Sequence, residues 1–247
     1  MGFPNVDDGG VREFGAFVGE RRPTWILRRH GRMGWWRGLI ALSPASEVEI
    51  VSNDDSPTYS PSYTSDGAGG AIVTCDGPDH FTGDRDLFDI RAQRVSSSGQ
   101  LVWDPEPTLV CDALGYQSDA QAVADGQGGA IFAWRHEGAT DAADIFAQRV
   151  DATGQLLWDS GGKPICQATG VQEDVALHED GAGGAIALWK DTRAAAGAIY
   201  GQRVDGLVAT MWTTDGKLVG EVSSPDIAFR STDDLAGGAI VAWTGDP

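Results

Sequence analysis

Asp125-Gly126-Gln127-Gly128-Gly129-Ala130-Ile131-Phe132-Ala133-Trp134 is the stretch on which the fold turns. Its first five residues read as a tight turn, because glycines supply the positive φ that such turns need. The next five are small, branched and aromatic, as in a buried strand. The Gly-Gly-Ala-Ile core of this stretch occurs four times, at 69–72, 128–131, 183–186 and 237–240. A second element follows the first three copies: Ile90 to Val95, Ile145 to Val150 and Ile199 to Val204, each ending in Gln-Arg-Val. A tryptophan follows in turn: Trp103, Trp158 and Trp212.

Each Gln lies 35 residues before the next Gly-Gly pair (93 to 128, 148 to 183, 202 to 237), whereas the step from Gly-Gly to Gln is 24, 20 and 19. Length change is therefore confined to one loop per repeat, which marks that loop as solvent-facing and the rest as packed. The middle repeat reads as four strands: A from Ala120 to Ala124, B from Ala130 to Trp134, C from Asp144 to Val150 and D from Gln155 to Trp158, with tight A–B and C–D turns. In strand C, Phe146 and Val150 point to one side and Ile145 and Ala147 to the other, so both faces must be covered by neighbouring sheets. No helical period competes. The fold class expected is all-β: a β-propeller or partial propeller of four-stranded antiparallel blades, with a period of about 55 residues.

The pattern Asp-Gly-x-Gly-Gly-Ala-Ile-x-x-Trp, then Asp-Ile-x-x-Gln-Arg-Val-Asp, then Gly-x-x-x-Trp resembles tandem propeller-like repeats of large secreted bacterial proteins. The resemblance covers about residues 60–243; Trp134, Trp189 and Trp243 fit it, and Cys75 departs from it. It implies an extracellular or periplasmic setting, although no clear signal peptide is visible in this chain, and it implies nothing specific about activity.

Blades are expected at 60–104, 118–159 and 172–213, with a half-blade at 224–243, inside a repeat region spanning 46–247. Residues 1–45 hold seven Arg and four acidic residues, a net +3 against −21 for the remainder. They read either as a degenerate blade, since Arg29 to Gly34 repeats the Arg149 to Gly154 spacing, or as an extension. Three and a half blades cannot close a ring, so self-association is a further expectation.

The whole chain carries 18 basic and 36 acidic residues, a net charge of −18 over 247 residues, which disfavours nucleic acid as a partner. No run of about 18 apolar residues exists, so no membrane helix is expected. Cys75, Cys111 and Cys166 form no even framework and read as free thiols.

Residues present in every repeat belong to the scaffold. Arg94, Arg149 and Arg203 are expected to pair with the turn aspartates Asp66, Asp125 and Asp180, and Gln93, Gln148 and Gln202 to hydrogen-bond between blades. The B–C loop and a long D–A link would share one face, where a site is sought. The B–C loops are acidic there. Asp79, Asp84, Asp86, Asp89, Glu137 and Asp141 are candidate ligands for Ca²⁺, which takes 6–8 oxygens. His80 and His136 are candidate general bases, and His178 in strand A is a further one. Two functions of different class follow. One is a binding or scaffold module presenting an acidic loop face to protein, glycan, cation or small molecule. The other is a hydrolase that uses bound Ca²⁺ to polarise the carbonyl of a small ester or lactone. No Gly-x-Ser-x-Gly elbow, His-Glu-x-x-His pair or P-loop is present.

Overall fold

The computed structural model describes residues 24–30, 35–43, 46–49, 59–78, 88–103, 107–138, 142–193, 197–207, 209–222 and 228–243. The architecture is all-β. Strands β1 (Thr24–His30), β2 (Trp35–Ser43) and β3 (Ser46–Glu49) form an antiparallel sheet in the order β1-β2-β3. The first repeat supplies β4 (Tyr59–Ser65), β5 (Ala71–Pro78), β6 (Phe88–Val95) and β7 (Thr108–Cys111). The second supplies β8 (Tyr116–Ala124), β9 (Ala130–Glu137), β10 (Ala143–Val150) and β11 (Lys163–Cys166). The third supplies β12 (Gln172–Glu179), β13 (Ala185–Asp191), β14 (Ala198–Val204) and β15 (Lys217–Glu221), and the fourth β16 (Phe229–Asp233) and β17 (Ala239–Trp243). Within each repeat unit consecutive strands pair antiparallel. Single parallel pairings, Phe88 with Tyr116 and Ala143 with Val171, join one unit to the next at equivalent places.

Strands A, B and C lie where the sequence puts them, but strand D does not. The Gln155–Trp158 segment makes only an isolated bridge, Val150 with Leu156, and the fourth strand is β11. The reason is the side chain of Gln148. Its Oε1 accepts from the N–H groups of Arg149 and Trp158, and its Nε2 donates to the Asp159 carbonyl. The amide thus takes the place of ladder bonds, and the tryptophan segment bends out before pairing resumes at Lys163. Gln202 does the same with Arg203, Trp212 and Thr213. These glutamines therefore bond within a unit, not between units as expected.

The connections change accordingly. The C–D connections are long and constant, at 96–107, 151–162 and 205–216, twelve residues each. The D–A links are short: 112–115, 167–171 and 222–228. The long connections therefore do not share one end. The C–D segments stand with the A–B turns, and the uneven B–C loops stand with the D–A links at the other end.

The faces of strand C follow the alternation. Val150 and Phe146 pack with Ile72, Ile90, Trp103, Val110, Phe132 and Trp134 between units one and two. Ile145 and Ala147 pack with Ile131, Ile165, Val175 and Trp189 between units two and three. Ile186, Leu188, Ile199, Val222 and Phe229 fill the space between units three and four. The wide rings need a flat floor. A Cβ on Gly162 would stand 2.5 Å from the Trp134 ring, and one on Gly216 would stand 2.6 Å from Trp189.

The arginine–aspartate pairs form as the sequence implies. Arg94 meets Asp66 at 3.1 Å, Arg149 meets Asp125 at 2.8 Å and Arg203 meets Asp180 at 2.9 Å. Each aspartate also accepts two N–H groups of its own turn, as Asp125 does from Gln127 and Gly129. Two of the arginines reach onward to the next unit: Arg94 donates to the Ala152 carbonyl and Arg149 to the Gly206 carbonyl. The arginine side chain is 9% exposed at Arg149 and 35% at Arg203. Arg149→Met strands a buried carboxylate and should cost about 3–5 kcal/mol in chemical denaturation. Arg203→Met should cost clearly less, because solvent screens that pair. Equal losses at the two sites would contradict this ranking.

Candidate functional site

The A strands β4, β8 and β12 neighbour one another across the units. Each is interrupted by a bulge near its start: between Tyr59 and Ser62, between Ser118 and Gln121, and between Glu173 and Ala176. In each bulge one residue turns left-handed: Ser60 at φ 44°, Asp119 at 58° and Asp174 at 55°. All three stand six positions before a turn aspartate (60 and 66, 119 and 125, 174 and 180). Non-glycine residues pay for this backbone, aspartate less than most. Bulges of this kind re-aim a side chain out of the ladder. Here the re-aimed side chains are exposed and polar, at the end carrying the B–C and D–A connections.

The groups converge across units. Ser60 Oγ donates to Asp119 Oδ1 at 3.0 Å, and Ser118 Oγ donates to Asp119 Oδ2 at 3.3 Å. The backbone N–H of Asp119 donates to Oδ2 of the buried Asp76, 3.0 Å away in unit one. Asp174 carries Lys190 Nζ at 2.5 Å. A hydroxyl and two carboxylates are thus displayed at equivalent positions of three successive units, with the Lys190 ammonium from β13 on the last of them.

The residues singled out from sequence are distributed differently. Asp79, His80, Asp84, Asp86 and Asp141 lie outside the described residues. Asp89 is buried and paired with Arg91 at 3.0 Å, and Glu137 is paired with Arg135. Among the described residues no group of three or more His, Cys, Asp or Glu is placed to hold a metal ion. His136 stacks on Phe146 at a 4.7 Å ring separation, with Nδ1 3.2 Å from Gln117 Nε2. Burial lowers its pKa, and the Asp144 carboxylate opposes the shift. In unit three the matching position is Asp191, which is buried and accepts from Trp189 Nε1 and from Arg193. That Arg193 also lies 3.8 Å over the Tyr200 ring. His178 lies toward the opposite end of β12, two residues before the turn aspartate Asp180.

Sequence reasoning passed over Asp119 and Asp174 because a bulge leaves no mark on a polar–apolar alternation. The signal that was available is the recurrence of Asp six places before the turn in two successive repeats.

The overall fold is similar to that of a Hadza microbial sialidase, with a TM-score of 0.57 at 10% identity. The alignment covers 90% of this chain and 50% of the sialidase, so the chain spans half that protein's length. An endo-arabinase from Bacteroides thetaiotaomicron aligns at a TM-score of 0.48 and 13% identity, covering 94% of this chain and 88% of the enzyme. A thermostable family-43 glycoside hydrolase aligns at 0.46 and 10%, covering 92% and 86%. At 10% identity the likeness to the sialidase is one of fold alone, all-β and propeller-like. No protein-family model and no curated protein matches the sequence.

Two outcomes check the local chemistry. Because burial holds His136 below its ordinary value near 6.5, the unfolded chain takes up that proton first. The histidine's contribution to stability is therefore complete above about pH 6.5 and is lost as the pH falls below it. His136→Gln should flatten that part of the acid loss in urea unfolding at pH 7.5, 6 and 5; an unchanged slope would refute the assignment. Separately, Cys111 and Cys166 are free and buried, and burial pushes both thiols up to about 12. Native protein at pH 8 should then react with an aromatic disulfide reagent at these two positions only after denaturant is added.

Proposed function

We propose that this chain is a carbohydrate-active module of propeller type. Its four-stranded units are the blades, with a period of about 55 residues, and its chemistry lies where the A strands bulge. The observation that carries the reading is the left-handed, exposed Asp119 and Asp174 at matching positions of neighbouring units. Glycoside hydrolysis needs a pair of carboxyl groups, one to protonate the leaving oxygen and one to act as base or nucleophile. Asp119 and Asp174 are assigned to that pair. Ser60 and Lys190 hold them and can contact sugar hydroxyls. The sialidase likeness supports the scaffold, and a secreted or periplasmic setting suits a glycan substrate.

A second reading, a glycan-binding module without turnover, is favoured by the fact that both carboxylates already have partners in Ser60 and Lys190. Aryl glycosides of several sugars, sialosides and arabinofuranosides included, separate the two. Under the hydrolase reading, Asp119→Asn and Asp174→Asn each lower kcat/KM by roughly 10²–10⁴-fold with melting little changed. Retained turnover in both variants sinks it. Glycan binding without turnover in the unaltered protein selects the second reading.

Calcium is a separate proposal. It rests on the sequence, on Asp79, Asp84, Asp86, Asp89, Glu137 and Asp141 in and beside the first two B–C loops; of these Asp89 is ion-paired with Arg91 and Glu137 with Arg135. A calcium titration should raise Tm by mass action, and a flat response at millimolar calcium removes the metal.

A further inference from the structure

The repeats depart from one another in residue type where β12 meets β16. The three residues before each turn aspartate are Tyr63-Thr64-Ser65, Ala122-Val123-Ala124, Leu177-His178-Glu179 and Ser231-Thr232-Asp233. Unit two fills these positions with apolar residues, and Val123 packs in the core. Unit three replaces that valine with His178, which is buried to 7% exposure. The histidine reaches across to unit four. Its Nε2 is 2.7 Å from Ser231 Oγ, and its Nδ1 is 3.3 Å from Asp233 Oδ1. Ser231 and Asp233 are two residues apart on β16 and so share one face of the strand. One imidazole therefore spans both.

Neither ring hydrogen is observed, and the assignment follows from the partners. Asp233, 3.3 Å from Nδ1, can only accept, so it selects the tautomer with the hydrogen on Nδ1, in which Nε2 accepts from the serine hydroxyl. That is the division of roles in a nucleophilic serine site, which is recognised by geometry and not by order in the chain. Access is open: Ser231 is half-buried, and the Asp233 side chain is 50% exposed. Burial, and after it the Asp233 carboxylate, raise the pKa of the neighbouring Glu179. The surroundings are therefore anionic, which disfavours anionic substrates. Across the ladder from Ser231 is Val241, which packs on the apolar cluster between units three and four.

We propose that Ser231, His178 and Asp233 form an acyl-transfer site for small uncharged esters. Ser231 Oγ attacks the ester carbonyl while His178 Nε2 takes the hydroxyl proton. The carbon–oxygen bond to the leaving alcohol breaks, and His178 returns the proton to that alcohol. Water then attacks the acyl-serine, giving its proton to His178, and the carboxylic acid leaves as Ser231 is reprotonated. Asp233 is a positioning residue that holds the imidazole through Nδ1–H. The site lies at the A–B turn end of its strands, at the other end from Asp119 and Asp174, and does not depend on the glycan reading.

The test is labelling of the full chain with a fluorophosphonate probe, with the adduct located by peptide mass spectrometry. Hydrolysis of p-nitrophenyl acetate is followed in parallel. A single adduct on Ser231 is expected, and Ser231→Ala should abolish both adduct and turnover above background. His178→Gln should abolish labelling. Asp233→Asn, at an exposed position, should slow labelling at least about tenfold while melting is retained. If His178→Gln does not fold, Asp233→Asn decides. No adduct on Ser231, adducts spread over several hydroxyls at one rate, or unchanged labelling in folded Asp233→Asn would reduce the cluster to a structural contact and overturn the proposal.

Discussion

The buried aspartate at the A–B turns of units one to three is the constraint on which the repeat depends. One of its oxygens accepts two N–H groups of its own turn; the other binds the arginine of strand C in the same unit. In units one and two that arginine also donates to the C–D connection of the following unit. A single carboxylate therefore closes a turn, anchors a strand and helps to set the spacing of two sheets. The glycine pair follows from this. A Cβ on Gly70, Gly129 or Gly184 would stand 2.2, 2.1 or 2.3 Å from the carbonyl oxygens of Val95, Val150 and Val204. The second glycine of the first three pairs is thus required by close approach, whatever the turn's dihedral angles. Burial raises the pKa of Asp180, but the N–H groups of Ala182 and Gly184, with Arg203, outweigh it and leave a net lowering. In unit four backbone N–H groups, those of Gly238 and Ala236 first, lower Asp234, and among the described residues no arginine joins them.

This framework was largely legible in the sequence because its interactions are local and repeated. The turn spacing gave strands A, B and C, the alternation in β10 gave both packing faces, and the pairing of Arg149 with Asp125 follows from their recurrence. Strand D was misplaced for a physical reason. The segment from Gln155 to Trp158 has the composition of a strand and follows a turn, but the Gln148 amide occupies its hydrogen-bonding partners. A side chain that substitutes for a backbone ladder has no pattern of its own. Only the constant 35 residues from each Gln to the next Gly-Gly pair, and the recurrence of Cys111 and Cys166 55 residues apart, hinted that a fixed structure continued beyond the tryptophan.

The candidate site was less legible because it depends on backbone shape and on contacts between units. Asp119 reads as an ordinary outward residue of a strand until the bulge turns it left-handed and Ser60 of the preceding unit reaches it. His136 drew attention through its residue type, yet the structure stacks it on Phe146 beside Gln117. Its counterpart Asp191 is tied to Trp189 and Arg193. Residue type alone does not separate a group held for packing from one held for chemistry; the partners do.

The cross-unit contacts of polar A-strand side chains share a logic. Ser60 meets Asp119, and His178 meets Ser231 and Asp233, in each case across a boundary between neighbouring A strands. The arginine–aspartate pairs and most members of the apolar clusters hold the units together through strands B and C and the connections around them, with A-strand residues such as Val123, Val175 and Phe229 joining the clusters. Substitution at the polar A-strand positions therefore leaves the principal anchors in place. Unit two shows the conservative choice, with Ala120, Ala122 and Val123 completing the core. Unit three spends one of those positions on a histidine, and the neighbouring strand answers with a serine and an aspartate at the spacing one imidazole can bridge. A scaffold that repeats its anchoring interactions leaves its inner strands free to differ, and it is there that the polar groups of this chain depart from the repeat.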